Sequence, residues 1–442
     1  MMYDAVFFRR IRCLTPDPSG RWLDRPDQSV AVRDGRIVAM GDQEDAVRQA
    51  LTGVPYSVYS GRGKLLLPAL ANLHGHIAMT LFRNQADDRN LHDWLFQVIF
   101  PREAHLNESV VRAGTRLGLL EMIRSGTGAA ADMYYYHETI AEAAVEAGFR
   151  LNFSCDAKET NPAGETIVQP RLMQDALRLA EQAPDQLLRA SLLVHSVYLY
   201  DQKLYPELAE LAADLNCPVQ VHVSETAREV DECLALHGRR PPAQLAEYGF
   251  FRTPTLAAHC VHLDDADRRI LAERDVTCVH NPASNLKLGS GFADVPALLN
   301  AGIRVGLGTD GAASNNTLDL YRDMHLAALA AKGLHRDAAA LPATDILRMA
   351  TLDGMKGLGF TQSGRIEPGA AADLQVVDLD RPELTPLGQP ASALVYCATG
   401  SCVESTMVAG RWLMKKRELM TLDEEKILAE ARAASDWINA QA

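Results

Sequence analysis

The 442-residue chain contains no C-x-x-C pair, no basic cluster interleaved with aromatic residues, no low-complexity tract and no repeat of fixed period. Its eight cysteines, at positions 13, 155, 217, 233, 260, 278, 397 and 402, are scattered, several of them within apolar runs such as Asp275-Val-Thr-Cys-Val. They read as reduced core thiols of a cytoplasmic protein, not as a disulfide framework. Lys and Arg total 44 against 57 Asp and Glu, a net charge of -13, which argues against a nucleic-acid partner. The opening Met1-Met2-Tyr3-Asp4 reaches Arg9-Arg10 after only a short apolar stretch, so neither a signal peptide nor a membrane span is expected. The missing repeat excludes a solenoid. What is present is ordinary soluble-globular composition, 47% hydrophobic and 23% charged, with length for one large core and a smaller one.

Two textures divide the chain. Near the N-terminus lie short β-like runs, Ala5-Val6-Phe7-Phe8 and Ser29-Val30-Ala31-Val32 with Arg36-Ile37-Val38-Ala39-Met40, the latter pair joined by Arg33-Asp34-Gly35, a hairpin-turn signal. The same texture returns at Asp373-Leu-Gln-Val-Val-Asp378, from Cys402 to Val408, and at Arg411-Trp412-Leu413 after Ala409-Gly410. Residues 1–66 and 369–442 are therefore expected to build one small β-sandwich domain with a C-terminal helix. Between them, over 67–368, apolar runs ending in polar residues alternate with helical stretches such as Glu138 to Ala147 and Glu207 to Leu215. That βα rhythm predicts an α/β fold, a (β/α)8 TIM-like barrel.

The chemistry-bearing residues sit where apolar runs end. Lys64 to His76 reads as a buried strand finishing in His74-Gly75-His76, and period-2 geometry puts both imidazoles on one face, as a divalent metal requires. In Val219 to Glu225, valines alternate with Gln220, His222 and Ser224, so the polar face points into a lumen, and Glu225 at the strand's mouth can carry protons beside a metal held by His222. Thr255-Leu-Ala-Ala-His259 and Ile303 to Asp310 end the same way; each alone could be a core histidine or a helix cap. A barrel gathers strand C-termini at one face, so together they suit Zn²⁺ or Fe²⁺ with an open position for water.

The ordered set His74-Gly-His76, His222-x-x-Glu225, His259 and Asp310 resembles the amidohydrolase superfamily, in its mononuclear chlorohydrolase/deaminase branch, over nearly the whole chain. More narrowly, Met79-Thr80-Leu81-Phe82-Arg83, Asp93-Trp94-Leu95, the stretch from His280 to Gly289 and that from Gly308 to Asn316 are similar to the S-adenosylhomocysteine and 5'-methylthioadenosine deaminases. The resemblance implies one divalent metal, zinc first and iron or manganese as alternatives, held by His74, His76, His222 and Asp310. It further implies Glu225 as proton shuttle, His259 and Asp310 as the catalytic pair that aims the water, Asp93 on the ribose hydroxyls, His195 on the purine and Trp94 flanking the substrate. The activity implied is hydrolytic deamination of an adenosine-type nucleoside.

Two departures from that pattern stand out: Asp93 replaces the family's Glu before the Trp, and no Arg stands near Phe153-Ser154-Cys155-Asp156 to grip a substrate carboxylate, though Lys158, Arg83 or Arg171 could supply the charge. Such losses favour a neutral 5' group. A deaminase or hydrolase of a free purine, pterin or triazine is the alternative on the same site. A non-catalytic scaffold ranks last because every ligand is kept. Lys158 is expected to be solvated, His262 and His280 to support the site from behind, and Met133 to Tyr136 either to line the pocket or merely to pack. The expected partners are a small heterocyclic substrate and further copies of the chain, with no nucleic acid and no membrane.

Overall fold

The computed structural model describes residues 5–17 and 19–441; Met1-Met2-Tyr3-Asp4, read above for a leader, lies outside them. Eight short strands pair in parallel: β1 (Leu70–Asn72), β2 (Thr127–Asp132), β3 (Arg150–Cys155), β4 (Leu188–Val194), β5 (Val219–Val223), β6 (Thr255–His259), β7 (Val276–His280) and β8 (Arg304–Leu307). Nearly every strand residue is buried, as a parallel sheet requires when helices such as Glu108–Arg124 and Leu204–Asp214 cover its outer face. β1 meets β8 where the Leu73 N–H donates to Leu307 O at 2.8 Å, which closes the sheet into the expected (β/α)8 barrel. Among the described residues no helix is long and apolar enough to cross a membrane.

Both chain ends enter one nine-stranded mixed sheet. Its two halves are joined where Lys64–Pro68 runs antiparallel to Leu374–Asp378, with Leu66 opposite Val376. The Asp34-Gly35 turn links Trp22–Arg33 to Arg36–Gly41 with φ of 51° and 76°, the left-handed pair that a tight hairpin demands. The single strand expected from Lys64 to His76 is in fact divided. Lys64–Pro68 belongs to the chain-end sheet and Leu70–Asn72 to the barrel, because Pro68 has no N–H to continue a ladder and Ala69 turns its own N–H to Asp373 O at 3.0 Å. One apolar run thus serves two sheets.

Asp373 also fastens the two sheets together. Its carboxylate receives Arg150 Nε and Nη2, from the first residue of β3, at 2.7 and 3.2 Å, and the Ala409 N–H at 2.7 Å, together with the Ser363 hydroxyl. The side chains are 6% and 0% exposed, so neither charge has water to fall back on. Arg150→Met leaves a buried carboxylate uncompensated and is expected to cost about 3–5 kcal/mol of stability, read as a lowered urea or thermal midpoint; Arg150→Met with Asp373→Asn should cost less. Equal losses in the two proteins would show that the charge pair is not the fastening.

Candidate active site

The C-terminal ends of β1, β5, β6 and β8 converge. His74 and His76 follow β1, His222 lies in β5, His259 ends β6 and Asp310 follows β8. The His74 ring lies 5.0, 4.9 and 5.4 Å, centroid to centroid, from those of His76, His222 and His259. Asp310 Oδ1 is 3.4 Å from His74 Nε2 and 3.3 Å from His76 Nε2. The donor atoms of His74, His76 and Asp310 all lie within 4.8 Å of one another, as do those of His74, His222 and His259.

These atoms fit a divalent cation. Met133 O, 2.5 Å from His76 Nδ1, and His195 O, 2.6 Å from His222 Nδ1, can only accept, so each Nδ1 keeps its proton and each Nε2 turns a lone pair inward. His74 Nε2 is buried without a hydrogen-bond partner. The Ser284 and Ser314 hydroxyls donate to Asp310 Oδ2 at 2.6 and 2.9 Å, leaving Oδ1 on the histidine side. Inward lone pairs and one carboxylate, with no proton donor among them, suit Zn²⁺ or a similar ion.

Beside this cluster, Glu225 Oε2 is 3.6 Å from His259 Nε2. Ser290 Oγ donates to Glu225 Oε1 at 3.2 Å, and His262 Nε2 contacts Ser290 O at 2.7 Å, so His262 supports Glu225 at one remove. Burial raises the Glu225 carboxyl above its ordinary value and makes it a stronger base. Asn285 Oδ1 engages His259 Nδ1 at 2.7 Å. His280, expected to support the site, instead lies edge-on to Phe292 at 4.7 Å between centroids, with neither ring nitrogen hydrogen-bonded.

A cavity of about 920 Å³ opens above these groups. Met133, Tyr134, Tyr135 and Tyr136 line it, which resolves the two readings of that run in favour of the pocket, and Trp94 and His195 line it as well. His195 Nδ1 is buried and unpartnered, and burial pushes the imidazole down to about 3, so it is neutral. Asp93 does not line the cavity. Its carboxylate receives Asn90 Nδ2 and Gln97 Nε2, both at 2.9 Å, because the helix Leu91–Trp94 turns roughly 100° per residue and facing Trp94 inward turns Asp93 away. A carboxylate that does line the cavity in this region is Glu103, which the sequence reading missed. One of its oxygens is buried without a partner, and burial pushes it up to about 7 beside the Tyr134 phenol.

Lys158 is not solvated as expected. Its side chain is 11% exposed, its ammonium lies 3.2 Å from the centre of the Tyr200 ring, and it lines the cavity 3.1 Å from Asp156 Oδ1. Arg83 is held by Glu121 and Asn316 O, and Arg171 is an exposed partner of Asp175; neither lines the cavity. Nothing local marks Glu103, in Phe100-Pro-Arg-Glu103, as functional. The hydroxyls and amide of Ser284, Ser314 and Asn285, by contrast, lie inside the two stretches that carried the resemblance.

A parallel barrel whose strand ends bring histidines and carboxylates to the floor of one cavity defines a barrel enzyme, with its chemistry at that face. The family model for the amidohydrolase family matches residues 65–413, and the chain belongs to that family. It is 40% identical over 400 residues to a 5-methylthioadenosine/S-adenosylhomocysteine deaminase of Acetivibrio thermocellus, covering 90% of this chain and 91% of the relative. It is 41% identical over 407 residues to a 5'-deoxyadenosine deaminase of Methanothermobacter thermautotrophicus, covering 92% and 94%. Among solved structures, the zinc-bound adenosine deaminase of Xanthomonas campestris superposes with a TM-score of 0.90 at 34% identity over 99% of both chains.

Glu229 sets the path of the chain into Glu225. It is buried, and its Oε1 and Oε2 accept the Ser224 and Glu225 backbone N–H groups at 2.9 and 2.7 Å, holding Ser224 at a left-handed φ of 49°. Glu229→Gln sets an amide NH₂ against one of those N–H groups and is expected to cost about 1–3 kcal/mol. Amide exchange at Ser224 and Glu225 should accelerate accordingly, read by mass spectrometry on a peptide spanning both. Unchanged exchange would show that the turn is held by something else.

Proposed function

We propose that the chain is a metal-dependent hydrolytic deaminase that releases ammonia from the 6-amino group of an adenosine-type nucleoside. The observation that carries this reading is the placement of Glu225 and His259 beside a set of imidazole and carboxylate donors, at the floor of a cavity whose wall holds a half-buried carboxylate, Glu103. The relatives' names, 5-methylthioadenosine/S-adenosylhomocysteine deaminase and 5'-deoxyadenosine deaminase, support the substrate class. The ion, zinc by preference, would be held by His74, His76, His222 and Asp310. When bound, it supplies Lewis acidity that lowers the pKa of water from about 15.7 toward about 7.

The chain's own residues do the rest. Glu225 takes one proton from the attacking water and delivers it to a ring nitrogen, then takes the second from the hydroxyl now on the amino-bearing carbon and delivers it to the departing amine, which leaves as ammonia while the carbonyl forms. His259, fixed through Nδ1 by Asn285, hydrogen-bonds that water and aims it at the amino-bearing carbon. His195, neutral at working pH, offers its unpartnered Nδ1 edge to the purine, and Trp94 flanks it. Glu103 accepts ribose hydroxyls, the role that the resemblance gave to Asp93. The eight unpaired cysteines, seven of them buried, support a reducing, cytoplasmic setting.

Glu225→Gln should keep the metal and the fold while ammonia release from 5'-methylthioadenosine falls roughly 10²- to 10⁴-fold. His222→Ala should lose the metal by elemental analysis. Near-normal turnover in the first variant moves the proton transfer elsewhere, and full metal content in the second removes His222 from the ligand set. Ammonia from a free purine or a pterin, with none from any nucleoside, would overturn the substrate class.

A further inference from the structure

Between β3 and the cavity mouth stands an ion pair that the deamination chemistry does not use. Asp156 directly follows β3 and Lys158 lies two residues further on, in the short strand Lys158–Thr160. Their charged groups are 3.1 Å apart and both line the cavity. Lys158 is pressed on the Tyr200 ring, whose hydroxyl accepts the His195 N–H at 3.1 Å, so the pair is tied to the wall beside the residue facing the purine. Glu103, Tyr135, Asp156 and Lys158 all line the same cavity. Among the described residues Lys158 is the lone lysine or arginine lining the cavity. Asp201 lines it too, but at the exposed rim, 3.5 Å from Lys203.

With the heterocycle at the metal end and the ribose at Glu103, Asp156 and Lys158 are the oppositely charged groups of the lining left to meet the 5' substituent. We infer that Asp156 and Lys158 select 5' substituents of zero net charge, an inference that rests on the nucleoside reading above. A neutral group leaves the two charges to compensate each other. A zwitterionic amino-acid tail, carboxylate toward Lys158 and ammonium toward Asp156, replaces one compensated pair by two. A lone carboxylate on the substrate draws Lys158 from Asp156, whose side chain is 38% exposed but whose Oδ1 is buried with no hydrogen-bond partner, and a lone ammonium strands Lys158. The pair therefore does what a tail-binding arginine could not, since an isolated cation favours anions.

The test uses four nucleosides with the wild-type holoenzyme: 5'-methylthioadenosine (neutral), S-adenosylhomocysteine (zwitterion), adenosine-5'-carboxylate (anion) and 5'-amino-5'-deoxyadenosine (cation). The expected kcat/KM for the anion and the cation is at least about ten-fold below the neutral compound, with the zwitterion within about ten-fold of it. Within each variant the neutral substrate serves as the reference. Asp156→Asn should raise the anion-to-neutral ratio at least about ten-fold, and Lys158→Met should raise the cation-to-neutral ratio by as much. Equal kcat/KM across the series, or ratios unmoved in both variants, overturn the inference. Kd values from calorimetry on the same series separate the two readings. An intact charge order in Kd with no ammonia released from any of the four overturns the deaminase reading and upholds the pair, whereas a flat Kd series overturns the pair whatever the turnover.

Discussion

The whole arrangement depends on the closure of the barrel between its first and last strands. At that seam Leu73 donates to Leu307 O at 2.8 Å and Asp310 donates to His74 O at 2.9 Å. Asn72 ties the same ends reciprocally, its Nδ2 donating to Thr309 Oγ1 at 2.7 Å while its Oδ1 accepts the Thr309 N–H at 2.9 Å. The approach is so close that a Cβ at Gly308 would stand 2.9 Å from both Cβ and N of His74, and one at Gly306 would stand 2.2 Å from Leu73 Cδ2. Glycine at these two positions is thus a geometric requirement. The seam brings the two ends of the sheet together and sets His74 beside Asp310 although they lie far apart in sequence. An open sheet of the same eight strands would hold the same residues at its opposite margins.

The strand ends then bend sharply to aim their side chains. Ser224, His259, Cys260 and Asp310 have φ of 49°, 72°, 51° and 63°, left-handed values that non-glycine residues rarely take and that cost on the order of 1–3 kcal/mol each. Each is held by hydrogen bonds that a relaxed chain would lose. Glu229 grips Ser224 and its neighbour, Cys260 donates to Val223 O at 3.0 Å, His259 donates to Asn281 Oδ1 at 3.3 Å, and the Gly311 N–H returns to Asp310 Oδ1 at 2.8 Å. These four bends lie at the floor of the cavity, where a strand continued straight would carry these groups past it.

That division explains what could be read in advance. The histidines and Asp310 were legible because period 2 and the βα rhythm are sequence properties, and a barrel turns strand C-termini into neighbours without further information. Contacts made by the backbone were not, since the carbonyls of Met133 and His195 that fix the proton positions on His76 and His222 have no side-chain signature. The break at Pro68 was visible as a residue but not as a change of sheet, because both sides of it are equally apolar. That Glu103 and not Asp93 lines the cavity was hidden for a different reason. Both are carboxylates near Trp94, and only the helical turns between them decide which faces the cavity. Lys158 was misjudged because a charged residue after a strand is usually solvated, whereas here the Tyr200 ring and Asp156 take the place of water.

The elements that carry chemistry and those that carry recognition are therefore separate. Strand ends of β1, β5, β6 and β8 supply the floor, each locked by the seam or by strained turns, so a substitution there disturbs the barrel as well as the reaction. Trp94 and Glu103 lie in the excursion between β1 and the helix Glu108–Arg124, and Asp156, Lys158 and Tyr200 lie in the segments after β3 and β4. The excursion is anchored from its base as far as Asp87: the Thr80 hydroxyl donates to Gly114 O at 2.7 Å, Arg83 pairs with Glu121, and Lys287 pairs with Asp87. Beyond that anchored part the walls can change residue by residue without reopening the seam. One floor can then serve several substrates, and the charge of the wall, not the geometry of the donors, becomes the variable that sets which tail is accepted.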